Sequence, residues 1–394
     1  MRKMAKLFDI TGLALSGEWG TDDEIGNGIP VLRTTNFTND GIVNYNNLVT
    51  RLINKRNIDE KYLRKGDIII EKSGGSDNQP VGRVIFFEGP EKTYLFNNFT
   101  GLLRVKDHSS WFPKYIFYAL FANYRRGGTK QFENKTTGLH NLKTDDYVKR
   151  FEIVEKGIAT QKTICFQLDK VRQIISLRQR EISFLDDLIK ARFVEMFEQG
   201  DYPQIEFGEI CEFLRNGTNI KQTKGAAGYP ITRIETLAND VFNTDRLGYA
   251  DIFDLKKYEG YLLKPGDILI SHINSVAYLG RAVQYRGQMA SPIIHGMNLL
   301  CARINEGYNP TYIEFFFKTP AAKDYISSIT KKAVNQASIT TSDLKKMMVP
   351  APSLEKQNEF DRFVQQVDKS KFAVQKALDK AQLLFDSLMQ QYFG

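Results

Sequence analysis

Segments of this 394-residue chain recur about 200 positions apart. Gly28-Ile29-Pro30 is answered by Gly228-Tyr229-Pro230, and Lys65-Gly66-Asp67-Ile68 by Pro265-Gly266-Asp267-Ile268. The same offset carries Ile10 onto Ile210, Gly17 onto Gly217 and Arg33 onto Arg233, while Gly82-Arg83 falls on Gly280-Arg281. Further on, 158–197 matches 354–393 at an offset of 196, with Gln161 on Gln357 and Leu188 on Leu384. Self-similarity at a fixed period outranks local propensity, because it requires two segments to share one frame. The order is lobe, helix, lobe, helix, and the length suits two domains of roughly 150 residues plus connecting elements. The expected boundaries are a first lobe over 1–152, a spacer helix over 153–200, a second lobe over 201–350 and a last spacer helix over 351–394.

Inside the lobes, short β-rich runs (67–71, 82–87, 267–271 and 280–285) are separated by Gly, Asn and Pro turns, the pattern of twisted sheet. Segments 114–121 and 311–317 each read as one helix, so the lobes are α+β.

The connecting segments carry a different signal. Ile164, Leu168, Val171, Ile175, Arg178, Ile182, Leu185, Ile189, Arg192 and Met196 are spaced alternately by four and three, a heptad seam. The second copy keeps the register through Phe360, Val364, Val367, Lys371, Val374, Leu378, Ala381, Phe385, Leu388 and Tyr392, with Lys371 interrupting it. Two matched seams predict one coiled coil. The alternative is that each helix packs on its own lobe.

Charge locates the working surface. Lys plus Arg exceed Asp plus Glu by 54 to 46, a formal charge of +8. Residues 158–198 account for +1 of this and 354–394 for none, so +7 lies in the rest of the sequence, which is mostly lobe. A basic surface there permits a polyanionic partner. The three cysteines, Cys165, Cys211 and Cys301, are too far apart in sequence for a disulfide framework or a CxxC zinc site. No apolar run approaches the roughly 20 residues of a membrane span, and Asp9 interrupts any signal-peptide core. A soluble, cytoplasmic protein without membrane partners is expected.

The sequence contains none of four catalytic motifs: the methyltransferase loop [DN]-P-P-[FY], a P-loop, H-E-x-x-H or G-x-S-x-G. The four histidines are isolated, and the glycine clusters at 26–28 and 225–228 run into turns, not helix starts. No catalytic residue, metal site or cofactor is expected.

The lobes do offer polar loops at repeat-equivalent places. Arg33, Thr34, Thr35 and Asn36 correspond to the stretch containing Arg233 and Thr236. Lys72, Ser73, Asn78 and Gln79, followed by Arg83, correspond to His272, Asn274 and Ser275, followed by Arg281. Lys135 and Thr136 correspond to Lys331, Lys332, Asn335 and Gln336. Such groups hydrogen-bond base edges and phosphates. One loop of this kind is an ordinary solvated connection, whereas three differing loops on a shared frame, twice over, point to readout.

This arrangement resembles the specificity subunit of type I restriction-modification enzymes over essentially the whole chain. The resemblance rests on the GIP and GYP segments with their following Arg, on the Gly-Asp-Ile strands followed by a polar loop and Gly-Arg, and on the 349–357 lead-in to the last helix. The first helix is approached through Ile153-Val154-Glu155-Lys156-Gly157, without the prolines of Val349-Pro350-Ala351-Pro352. The resemblance implies two similar α/β target recognition domains joined by two long helices in an antiparallel, pseudo-twofold symmetric coiled coil. Each domain would read half of a bipartite site on double-stranded DNA. Methyltransferase subunits (two) and restriction or translocase subunits would be separate chains, with S-adenosylmethionine held by a partner. Two other classes stay open: a self-sufficient nuclease with a scattered carboxylate site, and a coiled-coil protein adaptor, against which the lobe charge argues.

Overall fold

A computed structural model describes residues 3–394 apart from 56, 137–138, 199, 224 and 333–335, and of residues 135, 136 and 239 the backbone alone. The chain divides into two units, Met1–Gln179 with Lys376–Gly394, and Arg180–Gln375. Each unit is a lobe plus one portion of each long helix.

The first unit is built on an antiparallel sheet in the order Leu15–Ser16, Thr100–Leu103, Ile68–Glu71, Val84–Phe86. Strand side chains alternate between faces. Ile68 and Ile70 therefore enter one core with the helix Pro113–Arg125, while Ile69 enters a second core with Leu32, Leu63 and Phe96. A run apolar at every position is what a strand covered on both faces requires. A pair of strands, Met4–Lys6 and Glu152–Val154, closes the lobe beside the first long helix. A three-stranded sheet joins Ser73–Gly75 to Leu139–Leu142 and Glu133–Thr136.

The second unit repeats this frame. Its sheet runs Cys211–Asn216, Leu299–Ile304, Ile268–Ser271, Ala282–Gln284, and its closing pair is Gln204–Glu206 with Met348–Pro350. Two differences stand out. The first lobe has a further sheet around Ile29–Leu32 and Val49–Leu52, where the second has isolated bridges such as Ile231 with Gly248. The segment expected as one helix over 311–317 is Pro310–Phe316, and a second helix, Pro320–Ser328, follows it after Thr319 caps the N–H of Ala322.

The repeated Gly-Asp pair has a structural explanation. Gly66 and Gly266 adopt φ of 97° and 99°, a conformation open to glycine at little cost. The next residue then turns its carboxylate back: Asp67 accepts from Arg64 N at 2.7 Å and pairs with Arg104, and Asp267 accepts from Lys264 N at 2.8 Å and pairs with Arg303.

The long helices are Ile158–Phe197 and Leu354–Phe393, each 40 residues, about 60 Å at 1.5 Å per residue. In the first unit, Ile164, Leu168 and Val171 share a core with Phe385 and Met389. In the second, Ile189, Phe193 and Met196 share one with Phe360, Val364 and Val367. Low numbers of one helix thus meet high numbers of the other within each unit, an antiparallel pairing. Lys371, the break in the seam, is neutralised by Asp186 at 2.5 Å, and Arg192 turns outward to Glu359 at 3.0 Å. The helices pack on their lobes as well: Phe197 meets Tyr312 at 4.8 Å between ring centroids, and Phe315 meets Phe360 at 5.2 Å. Pairing and lobe packing are therefore both present.

Candidate nucleic-acid interface

The three polar loops of the first lobe converge at one end of its central sheet. Arg83 joins two of them: it makes a two-point pair with the buried Glu71 at 2.7 and 3.0 Å and donates to Thr34 O and Phe37 O. The third is joined through Ser73–Gly75, which ladders onto Leu139–Leu142 and so onto Glu133–Thr136. Gln79 Nε2 donates to Asn39 Oδ1 at 2.9 Å, tying the long loop to the segment after Asn36. The second lobe does the same: Arg281 donates to Leu237 O at 2.8 Å, and Ile273–Asn274 pairs with Ala337–Ser338, which pairs with Lys331–Lys332.

Several sequence-predicted contacts prove to be internal braces. Asn36 is 1% exposed, its Oδ1 accepts from Arg33 N, and its Nδ2 donates to Asn44 O and Asn46 O. Thr236 is 0% exposed and accepts from Arg233 N at 2.9 Å in the equivalent place. With their polar groups spent on backbone, both fix the loop and cannot also reach a base. Arg83 is likewise committed, and His272 is buried with Nδ1 unpartnered. Burial lowers the His272 pKa. In these four the residue types suit readout, and tertiary packing has enclosed them.

Other predicted residues lie at the surface. Thr35, Asn78, Ser275, Lys331, Lys332, Gln336 and Arg233 are exposed, with Arg233 Nε 3.4 Å from Glu235. Thr34, Lys72, Ser73, Gln79 and Asn274 are half-buried. Arg33 is half-buried and donates to Asn47 O at 3.0 Å. Arg281 holds Asp240 at 2.7 Å. Lys72 Nζ donates to Ser16 Oγ at 3.0 Å, and desolvation lowers its pKa. Asn335 lies outside the described residues, as do the side chains of Lys135 and Thr136.

One cation was passed over in the sequence. Arg215, on the edge strand opposite Cys301, stacks over Phe213 at 4.3 Å and Tyr261 at 5.1 Å. Its signal was a mismatch in the repeat, since position 15 is Leu. His295 lies close by, and burial pushes its pKa down to about 4, with Arg215 and His272 contributing. No group of three or more metal-ligating side chains occurs among the described residues, and no described helix is long and apolar enough to cross a membrane.

A duplicated α/β lobe carried on paired long helices defines a two-lobed class of protein, and comparison with known proteins narrows it. Residues 200–383 match the family described as "Type I restriction modification DNA specificity domain". A protein named as the MjaX type I restriction enzyme specificity subunit of Methanocaldococcus jannaschii is 34% identical over 194 residues, 49% of this chain and 45% of that one. That match spans less than half of the relative's length. The EcoKI specificity subunit of Escherichia coli is 24% identical over 393 residues, 92% of this chain and 80% of that one. The solved S subunit from M. genitalium superposes with a TM-score of 0.57 at 16% identity, covering 100% of this chain and 96% of that one. A chain from a structure on assembly and conformational transition of the type I R-M system gives 0.58 at 15%, covering 99% and 97%. Residues 200–383 thus match the type I restriction-modification DNA specificity domain, and the chain as a whole is similar to specificity subunits of such systems.

Proposed function

We propose that this chain reads a bipartite site on double-stranded DNA, one half-site per lobe, and directs separate methyltransferase and restriction subunits to it while performing no chemistry itself. The observation that carries the reading is the repetition of one sheet frame with different polar loops gathered at the same end of each sheet. A shared frame with unlike loops suits two targets approached in the same way. Exposed Lys and Arg of the lobes would hold phosphates, giving salt-dependent affinity, and the amide and guanidinium groups would read base edges in the grooves. Two methyltransferase subunits match the duplication, one per lobe, and flipping of the target base for methylation would fall to them.

The test is to exchange residues 202–350 for the corresponding lobe of a relative and sequence the methylated adenines in a host supplying the partner subunits. One half of the recognised site should change while the other stays. A change in both halves, or in neither, would defeat the assignment of one half-site to each lobe.

A further inference from the structure

The two lobes differ in which strand of the central sheet carries a cation. In the first lobe the cation is Lys72, just past strand Ile68–Glu71, and position 15 on the neighbouring edge strand is Leu, opposite Leu102. In the second lobe position 272 is a buried His, and the cation is Arg215, opposite Cys301 on the edge strand. The positions correspond in three dimensions as well as in sequence: Lys72 O accepts from Leu142 N, and His272 O from Ile339 N. The cation of the second lobe thus lies on the edge strand, on the sheet face of Cys301 and Leu269, where the first lobe has Leu15.

Arg215 is also uncommitted. Its Nε is buried without a hydrogen-bond partner, and no described residue pairs with its charge. Asp267, the carboxylate nearby, is already held at two points by Arg303. A partly buried guanidinium is ordinarily paired, because desolvating a charge without compensation is costly. Here two aromatic faces hold its plane while its donors remain free. The adjoining turn Lys256–Tyr261, which supplies Tyr261, adds the exposed Lys256 and Lys257. An oriented guanidinium with free donors matches the paired O6 and N7 acceptors of a guanine edge, and lysine lacks the planar fork that stacks on the two rings.

We propose that Arg215 is a specificity-determining residue of the second lobe, binding the major-groove edge of one guanine in the half-site that lobe reads. This rests on the DNA-reading function proposed above. The experiment uses the full chain purified with its partner subunits, as wild type, Arg215→Ala and Arg215→Lys, titrated with the recognised site and its single-base variants at several salt concentrations. The wild type should discriminate against replacement of one guanine, and both variants should lose about 5- to 100-fold of that discrimination while keeping it at every other position. The Lys variant should melt as the wild type does. Retained discrimination at all positions in both variants overturns the assignment. So does a uniform loss in the Ala variant with a salt slope lower by about one, restored by Lys, which marks a phosphate contact. A wild-type complex with no preferred sequence would instead overturn the DNA-reading function, and this assignment with it.

Discussion

Gln161 reaches from the first turn of its long helix to the backbone of Phe112, accepting from its N–H at 2.8 Å while Nε2 donates to Ser110 O and Lys156 O. Gln357 repeats the clamp with Asn309 N and Pro352 O, both at 2.8 Å. Both amides are fully buried, so truncation leaves backbone groups without partners. Gln161→Ala or Gln357→Ala should each cost about 2–4 kcal/mol, read as a lowered urea midpoint. An unchanged midpoint would mean the clamp is dispensable.

Val367 sits in the core shared by the two helices of the second unit. Val367→Asp buries a carboxylate in that core, where Lys371 one turn on is already held by Asp186, and should destabilise by several kcal/mol. Thermal melting followed by circular dichroism checks this, and Phe372→Asp, at an exposed position of the same helix, serves as the contrast.

Acid should loosen the second lobe. His295 is held neutral by burial, its pKa lowered from 6.5 to about 4. The unfolded chain therefore binds a proton between those values that the folded chain does not, so stability is full above pH 6.5 and falls as pH drops toward 4. The share from this group is about 3 kcal/mol. His272 shifts the same way. His295→Phe, which copies Phe96 of the first lobe, should flatten the dependence of the urea midpoint on pH in this window. An equally steep dependence would exonerate His295.

Arg233 is exposed and sits in the same frame position as Arg33, which favours an orienting role over distinct readout. Arg233→Ala should weaken binding to all sequences alike and lower the salt slope by about one. Loss confined to one base position would instead make it a reader.

Removing 177–183 and 373–379 together takes one heptad from each helix and preserves the seam. Each helix shortens by about 10 Å, and the spacer between half-sites should shrink by about three base pairs at 3.4 Å per step. Methylome sequencing reads spacing and half-site bases at once. Changed half-sites with unchanged spacing would show that the helices do not set the spacer.

The repeat made the frame legible, because matched turns and strands at one offset leave little freedom in how the two lobes are built. The seam was equally readable, and its one flaw at Lys371 found its answer in Asp186, a partner on the other helix. Reader and brace could not be separated. Asn36 and Thr236 have the same chemistry as a base contact, and only the enclosing fold decides that their bonds go to backbone. Arg215 escaped for the opposite reason: attention to what the halves share passes over the place where they differ. The helix Pro320–Ser328 was missed because it is only nine residues long and buries just Ala322 and Ile326.

The latch behind the first polar loop differs in kind between the lobes. Glu71, which secures Arg83, is out of reach of solvent, whereas Arg281 is secured by Asp240, whose side chain is 62% exposed. Mobile ions screen an exposed pair and leave an enclosed one nearly untouched. Under the proposed function, rising ionic strength would act on the second lobe through its shape as well as its grip on DNA, and on the first through its grip alone. At high salt the half-site read by the second lobe should blur first, making selectivity an uneven function of the medium.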